Sequence, residues 1–151
     1  MRMIRLMLVA ALAASTVTAC GGSKKTTTTA PVAEKSLYDR LGGKDAISTV
    51  VGMTLANIVA DARINARFAN SDAKELQTKL VDQICAATGG PCKYEGKDML
   101  SSHTGMKISE EEFGAFVEDL VKALNDAKVG EKEKTELLGA LGGMKGDIVG
   151  H

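Results

Sequence analysis

Apolar side chains recur along most of this chain at the three-and-four spacing of helices, and no stretch alternates as a half-buried strand would. Leu37, Tyr38 and Leu41 make a short amphipathic turn that Gly42 and Gly43 stop. Ile47, Val50, Val51, Leu55, Ile58 and Val59 fall on one face of a longer second helix. Asp72 is placed to cap a third helix, with Glu75 three residues on; its apolar row is Leu76, Leu80 and Ile84, and Gly89-Gly90-Pro91 breaks it. Ser109 and Glu112 have the spacing of a capping box before a fourth helix, whose face is Phe113, Phe116, Val117, Leu120, Val121 and Leu124. A last helix offers Leu137, Leu138, Leu141, Met144 and Ile148. The pattern predicts one all-α domain over residues 35–151, with short connections.

The N-terminus has a different pattern. Arg2 and Arg5 precede an apolar run from Leu6 to Ala14 that is too short for a comfortable membrane span. Val17-Thr18-Ala19-Cys20 resembles a bacterial lipobox, so residues 1–19 are expected to be a lipoprotein signal peptide and Cys20 the lipidated residue. Acyl chains there would supply the multi-chain anchoring that one fatty chain cannot. Gly21 follows the cysteine where an acidic residue would favour the inner membrane, so the expected location is the outer membrane, facing the periplasm. Residues 20–34 have almost no apolar content and read as a flexible linker.

Charge adds little: 19 basic and 19 acidic residues give no reason to expect nucleic acid as a partner. Cysteine usage fits export. With Cys20 given to the lipid, Cys85 and Cys92 remain, and outside the cytoplasm two nearby thiols favour a disulfide. The alternative, a zinc site, needs four ligands at recognisable spacing, which this pair and one histidine do not supply. The segment GALGGMKG follows no strand and lacks phosphate-loop spacing, so it reads as a glycine-loosened helix end. With no Trp, three Phe and two Tyr, the domain must pack aliphatic chains tightly or fill its centre with another flat, apolar body. His103, the only histidine besides the last residue, His151, lies on a short turn ahead of the fourth helix. A lone histidine is more often a surface or satisfied core residue than a ligand.

Several motifs, in order, change that balance. LYDRLGG at 37–43, INARFAN around Phe68, GGP at 89–91 followed by Tyr94-Glu95-Gly96, GKDMLSSH ending in His103, and ISEEEF opening the next helix together resemble the truncated haemoglobins, group I, over residues 36–149. The resemblance implies a two-over-two helical sandwich around b-type haem, with His103 as the iron's protein ligand. An imidazole suits that role because one ring nitrogen can bind metal while the other donates to a carbonyl or hydroxyl that fixes its orientation. By the same resemblance Phe68 packs on the haem face, and Leu76, Leu80 and Ile84 line the distal wall. Lys79 either reaches a propionate or lies on a solvated helix face, and Tyr94 and Met99 either approach the haem edge or simply pack. Group I members commonly carry a tyrosine on the second helix and glutamines on the third that donate to the gas ligand. Here those positions read Leu55, Leu76 and Leu80, with Thr54 before the first and Gln83 one turn beyond the last.

The resulting expectation is an envelope-anchored haem protein that binds a diatomic gas (oxygen, nitric oxide or carbon monoxide) at a five-coordinate iron, more a binding protein than an enzyme. Nitric oxide dioxygenation or a peroxidase-like reaction is the enzymatic alternative, and the first needs a reductase that the sequence does not name. Haem-mediated electron transfer, with Met53 as a candidate sixth ligand, and a haem-free adaptor complete the alternatives. No nucleophile and carboxylate stand at readable spacing from His103, which disfavours a hydrolase.

Overall fold

The structure is a computed structural model that describes residues 34–151; the expected signal peptide, Cys20 and all but the last residue of the linker lie outside the described residues. The elements are α1 (Leu37–Leu41), α2 (Gly43–Ala60), α3 (Asn65–Phe68), α4 (Ala73–Ala87), α5 (Met99–His103), α6 (Glu110–Asp126) and α7 (Glu131–Gly142), followed by a 3-10 turn at Lys145–Asp147. The only β-type pairing among the described residues is an isolated parallel bridge between Ile108 and Val149.

The all-helical expectation holds, and α2 is its organising element. It packs against α4 on one side and α6 on the other, while α1 rests on α2 and α7. Ile47, Val50 and Val51 of α2 meet Val81, Ile84 and Cys85 of α4, together with Leu120, Ala123 and Leu124 of α6 and Leu137 of α7, in one buried cluster. Gly42 makes the junction between the first two helices possible. Its φ of 96° is left-handed, and a Cβ there would stand 3.0 Å from the Ala46 Cβ.

The caps explain where the helices begin. The Ser109 hydroxyl accepts from the Glu112 N–H at 3.2 Å and the Glu112 carboxylate accepts from the Ser109 N–H at 2.9 Å, a reciprocal box that starts α6. Asp72 accepts from the Glu75 N–H at 2.7 Å, but Glu75 does not reciprocate and instead pairs with Lys79.

Three expectations need correction. Val59 is 72 % exposed and not part of the α2 face, because it lies about 100° around the helix from buried Ile58, at the end of the helix. The last helix stops at Gly142, so Met144 and Ile148 belong to the segment around the 3-10 turn; consecutive glycines at 142 and 143 do not sustain an α-helix. His103 is the last residue of a short helix rather than part of a bare turn, and Phe68 likewise closes a helix of four residues. Neither element carries the apolar spacing that marks α1.

Candidate functional site

Around the core runs a second set of apolar side chains that are only half-buried: Leu55, Phe68, Leu76, Leu80 and Met99. Leu55 and Phe68 come together against a small buried cluster of Ile58, Ile64 and Ala115, joined by Phe116. Leu55 also touches the main core, as does Leu80. On α4, Leu76, Leu80 and Gln83 follow one another at i, i+4 and i+7, so they share a helix face. Ile84 is turned elsewhere. It is 6 % exposed inside the main core, so Gln83 and not Ile84 continues the row of Leu76 and Leu80.

Gln83 points inward. Its Nε2 lies 3.2 Å from the Met99 Sδ and 3.4 Å from the Met144 Sδ, so one amide spans from α4 to α5 and to the segment after α7. Thr54, also buried, spends its hydroxyl on the Val50 carbonyl at 2.9 Å. Met53 is half-buried against the main core.

His103 has the geometry of a ligand. Its Nδ1 lies 2.7 Å from the Met99 carbonyl oxygen, four residues back. A carbonyl only accepts, so Nδ1 donates here, and in the neutral ring Nε2 is the nitrogen with the lone pair. Among the described residues no hydrogen bond engages that Nε2, whereas the Nε2 of His151 lies 2.9 Å from the Gly146 carbonyl. Asp98 starts α5 by accepting from the Ser101 N–H at 2.7 Å, so a cap places the imidazole one helical turn later. That same bond, with the Ser101 hydroxyl, holds the Asp98 carboxyl below the usual carboxylate range.

The remaining expected residues stand apart from this row. Lys79 is exposed and paired with Glu75 at 2.6 Å. With Tyr94 it lines a polar hollow of about 150 Å³, together with Asp82, Lys93, Glu95 and Gly96. The Tyr94 hydroxyl donates to the Lys97 carbonyl at 2.8 Å, within its own loop. Cys85 and Cys92 are bonded, S–S 2.00 Å and Cα–Cα 5.7 Å, which ties α4 to the loop leading to α5. Gly90 lies inside the closed loop, and a Cβ there would collide with the Tyr38 ring at 2.5 Å and the Cys85 sulfur at 2.7 Å.

Known proteins fit this arrangement. The family model described as bacterial-like globin matches residues 36–149. The chain belongs to the bacterial-like globin family. This globin is 34 % identical to the group 1 truncated hemoglobin of Mycolicibacterium paratuberculosis over 113 residues, 75 % of this chain and 83 % of that protein. The crystal structure of the truncated hemoglobin from Tetrahymena pyriformis in its Fe(III) form superposes with a TM-score of 0.75 at 27 % identity, covering 78 % of this globin and all of that chain. The 2/2 hemoglobin of a Synechococcus species, solved in the cyanomet state with covalently attached heme, gives a TM-score of 0.72 at 26 % identity, covering 76 % of this globin and 98 % of that chain. The fold is therefore that of the truncated, two-over-two globins.

Sequence reasoning missed two residues around α5: Asp98, which caps it, and Arg67. Arg67, beside Phe68, sends its guanidinium to Glu112 and to the backbone just after α5. The only available signal was its place in the motif next to the phenylalanine.

Proposed function

We propose that this globin binds a diatomic gas at a haem iron held by His103 through Nε2, with the opposite face of the iron left to the gas. Globin membership makes haem the cofactor and gas binding the function. The observation that carries the His103 assignment is the imidazole itself: Nδ1 tied to the Met99 carbonyl, Nε2 free, and the ring half-buried.

The donor set fits a porphyrin. No group of three or more His, Cys, Asp or Glu side chains able to hold a metal ion occurs among the described residues. His103 would offer one nitrogen, and the remaining ligands of the iron would come with the cofactor. Leu55, Phe68, Leu76, Leu80 and Met99 offer a half-buried apolar surface to a flat apolar body. When bound, the haem supplies the gas-binding and redox chemistry. The chain's residues orient it, exclude water and set polarity on the side where the gas binds. Leu55, Leu76 and Leu80 bring no donor to that side, and the Gln83 amide is engaged by two thioethers. Gas capture and release is favoured over dioxygenation, which depends on prolonged retention of oxygen.

Residues 1–20 support export and lipid anchoring at the cell envelope, and Gly21 after the cysteine supports the outer membrane, facing the periplasm, as the location. Cys20→Ser should abolish incorporation of labelled fatty acid and leave the chain unanchored; labelled Cys20→Ser protein would exclude that site. His103→Ala tests the ligand. Haem should be lost or held loosely, with an altered ferrous carbonyl spectrum, and an unchanged haem content and spectrum would remove the assignment.

A further inference from the structure

Helix α5 is five residues long, and its Leu100, Ser101 and Ser102 are exposed. A helix of that length has no stability of its own, so what holds it from outside fixes the imidazole. Its N-terminal end is held by the Asp98 cap. Beyond its C-terminal end the chain turns through Gly105 (φ 84°) and Lys107 (φ 51°), and the Met106 N–H donates to the His103 carbonyl at 3.0 Å. The Met106 carbonyl, on the other side of the same residue, accepts from the Arg67 Nη1 at 2.9 Å. The other two nitrogens of that guanidinium, Nε and Nη2, take the two oxygens of Glu112 at 2.7 and 3.0 Å, and Glu112 Oε2 also accepts from the Ser109 N–H. A planar fork used on all three nitrogens is a geometric device that an ammonium cannot copy.

We propose that Arg67 is a positioning residue for His103: the Arg67–Glu112 fork fixes the Met106 peptide and, through it, the backbone and ring of the histidine. The inference rests on His103 being the iron's ligand. It links the α3 corner that ends in Phe68 to the turn after α5, so two residues expected on the haem answer to one side chain. The Val149–Gly150 segment braces the same turn from below, since the Gly150 N–H donates to the Ile108 carbonyl at 2.9 Å.

The experiment compares Arg67→Ala and Arg67→Lys with Arg63→Ala. Arg63 occupies the same corner but is tied to Asp61 and Glu118 and makes no bond to the turn. In the haem-loaded full chain, Arg67→Ala should shift or broaden the iron–histidine stretching band of the reduced form and speed haem release by about tenfold. Arg67→Lys should recover only part of either change, and Arg63→Ala should match the parent. In the haem-free chain, hydrogen exchange at the Met106 amide should quicken in Arg67→Ala while the α2 core amides keep their protection. An unchanged band and unchanged Met106 exchange in Arg67→Ala would overturn the proposal, as would equal effects from Arg63→Ala. Retention of haem by His103→Ala would instead strike at the ligand assignment, while the Met106 amide would still report whether the fork holds the turn.

Discussion

The side of the molecule where α4 and α6 grip α2 differs in kind from the side that carries α5. The first is dense and apolar: Leu124 and Ala123 have no exposed surface and Val51 has 2 %. The second is short, half-exposed and held by directed bonds from Asp98, Arg67 and the Gly150 backbone. Stability is concentrated where burial is, and His103, the proposed iron ligand, is placed where it is not. A ligand carried on a polar, clamped element can be tuned without disturbing the core. That separation is the testable content of the comparison.

The largest effect should come from the core. Leu124→Ala removes a fully buried side chain and should cost about 3 kcal/mol in chemical denaturation, while the iron–histidine band of the folded protein stays where it was. A shifted band would show that the two regions are not separable. The disulfide sits between them. The Cys85→Ser, Cys92→Ser pair opens a loop of seven-residue separation, a loss of about 2–3 kcal/mol in the chain-entropy picture, seen as a lower melting temperature without expulsion of haem. Material from the periplasm that contains two free thiols would contradict a stabilising role there.

On the proposed gas side, Leu55→Tyr offers a phenol where an aliphatic chain stands. One added charge-assisted hydrogen bond should slow oxygen release at least about tenfold in stopped-flow measurements. If the parent already releases oxygen as slowly, the apolar reading of that side is wrong. Gln83→Ala should change release little, because its amide is occupied by Met99 and Met144.

The smallest effect concerns Asp119 in the α2–α6 contact. It is 8 % exposed, and its Oδ2 has no hydrogen-bond partner among the described residues. Burial raises its carboxyl above the ordinary value of 3.8, with Asp61 and Glu118 adding to the rise and Arg63 and Lys122 opposing it. Since the folded value exceeds the unfolded one, protonation favours folding; that contribution is complete below the unfolded value and is lost as pH rises through the folded one. Asp119→Asn should therefore gain about 1 kcal/mol at pH 7 and little or nothing near pH 3. An equal gain at both pH values would mean that charge is not the cause.

The long helices were legible because Ile47, Val50 and Ile58, or Phe116, Leu120 and Leu124, repeat a period that burial imposes. The Ser109–Glu112 box was legible because local backbone chemistry fixes its spacing. Helices α3 and α5 were not, since NARF and MLSSH carry no apolar spacing like that of Leu37, Tyr38 and Leu41 in α1, and tertiary bonds keep them in place. A step of one residue, about 100°, also decides between core and half-buried surface, and it is packing that puts Ile84 in the core and leaves Gln83 beside Leu80. The Arg67 fork joins residues 45 apart in sequence, a pairing that no local pattern records.

The most direct test of the account asks whether the free Nε2 of His103 is what the iron uses. His103→Gly, purified and reduced, should lose the five-coordinate histidine spectrum and its iron–histidine band, and added imidazole should restore both by filling the vacated position. A reduced spectrum identical to the parent's without imidazole, or no response when imidazole is added, would contradict it.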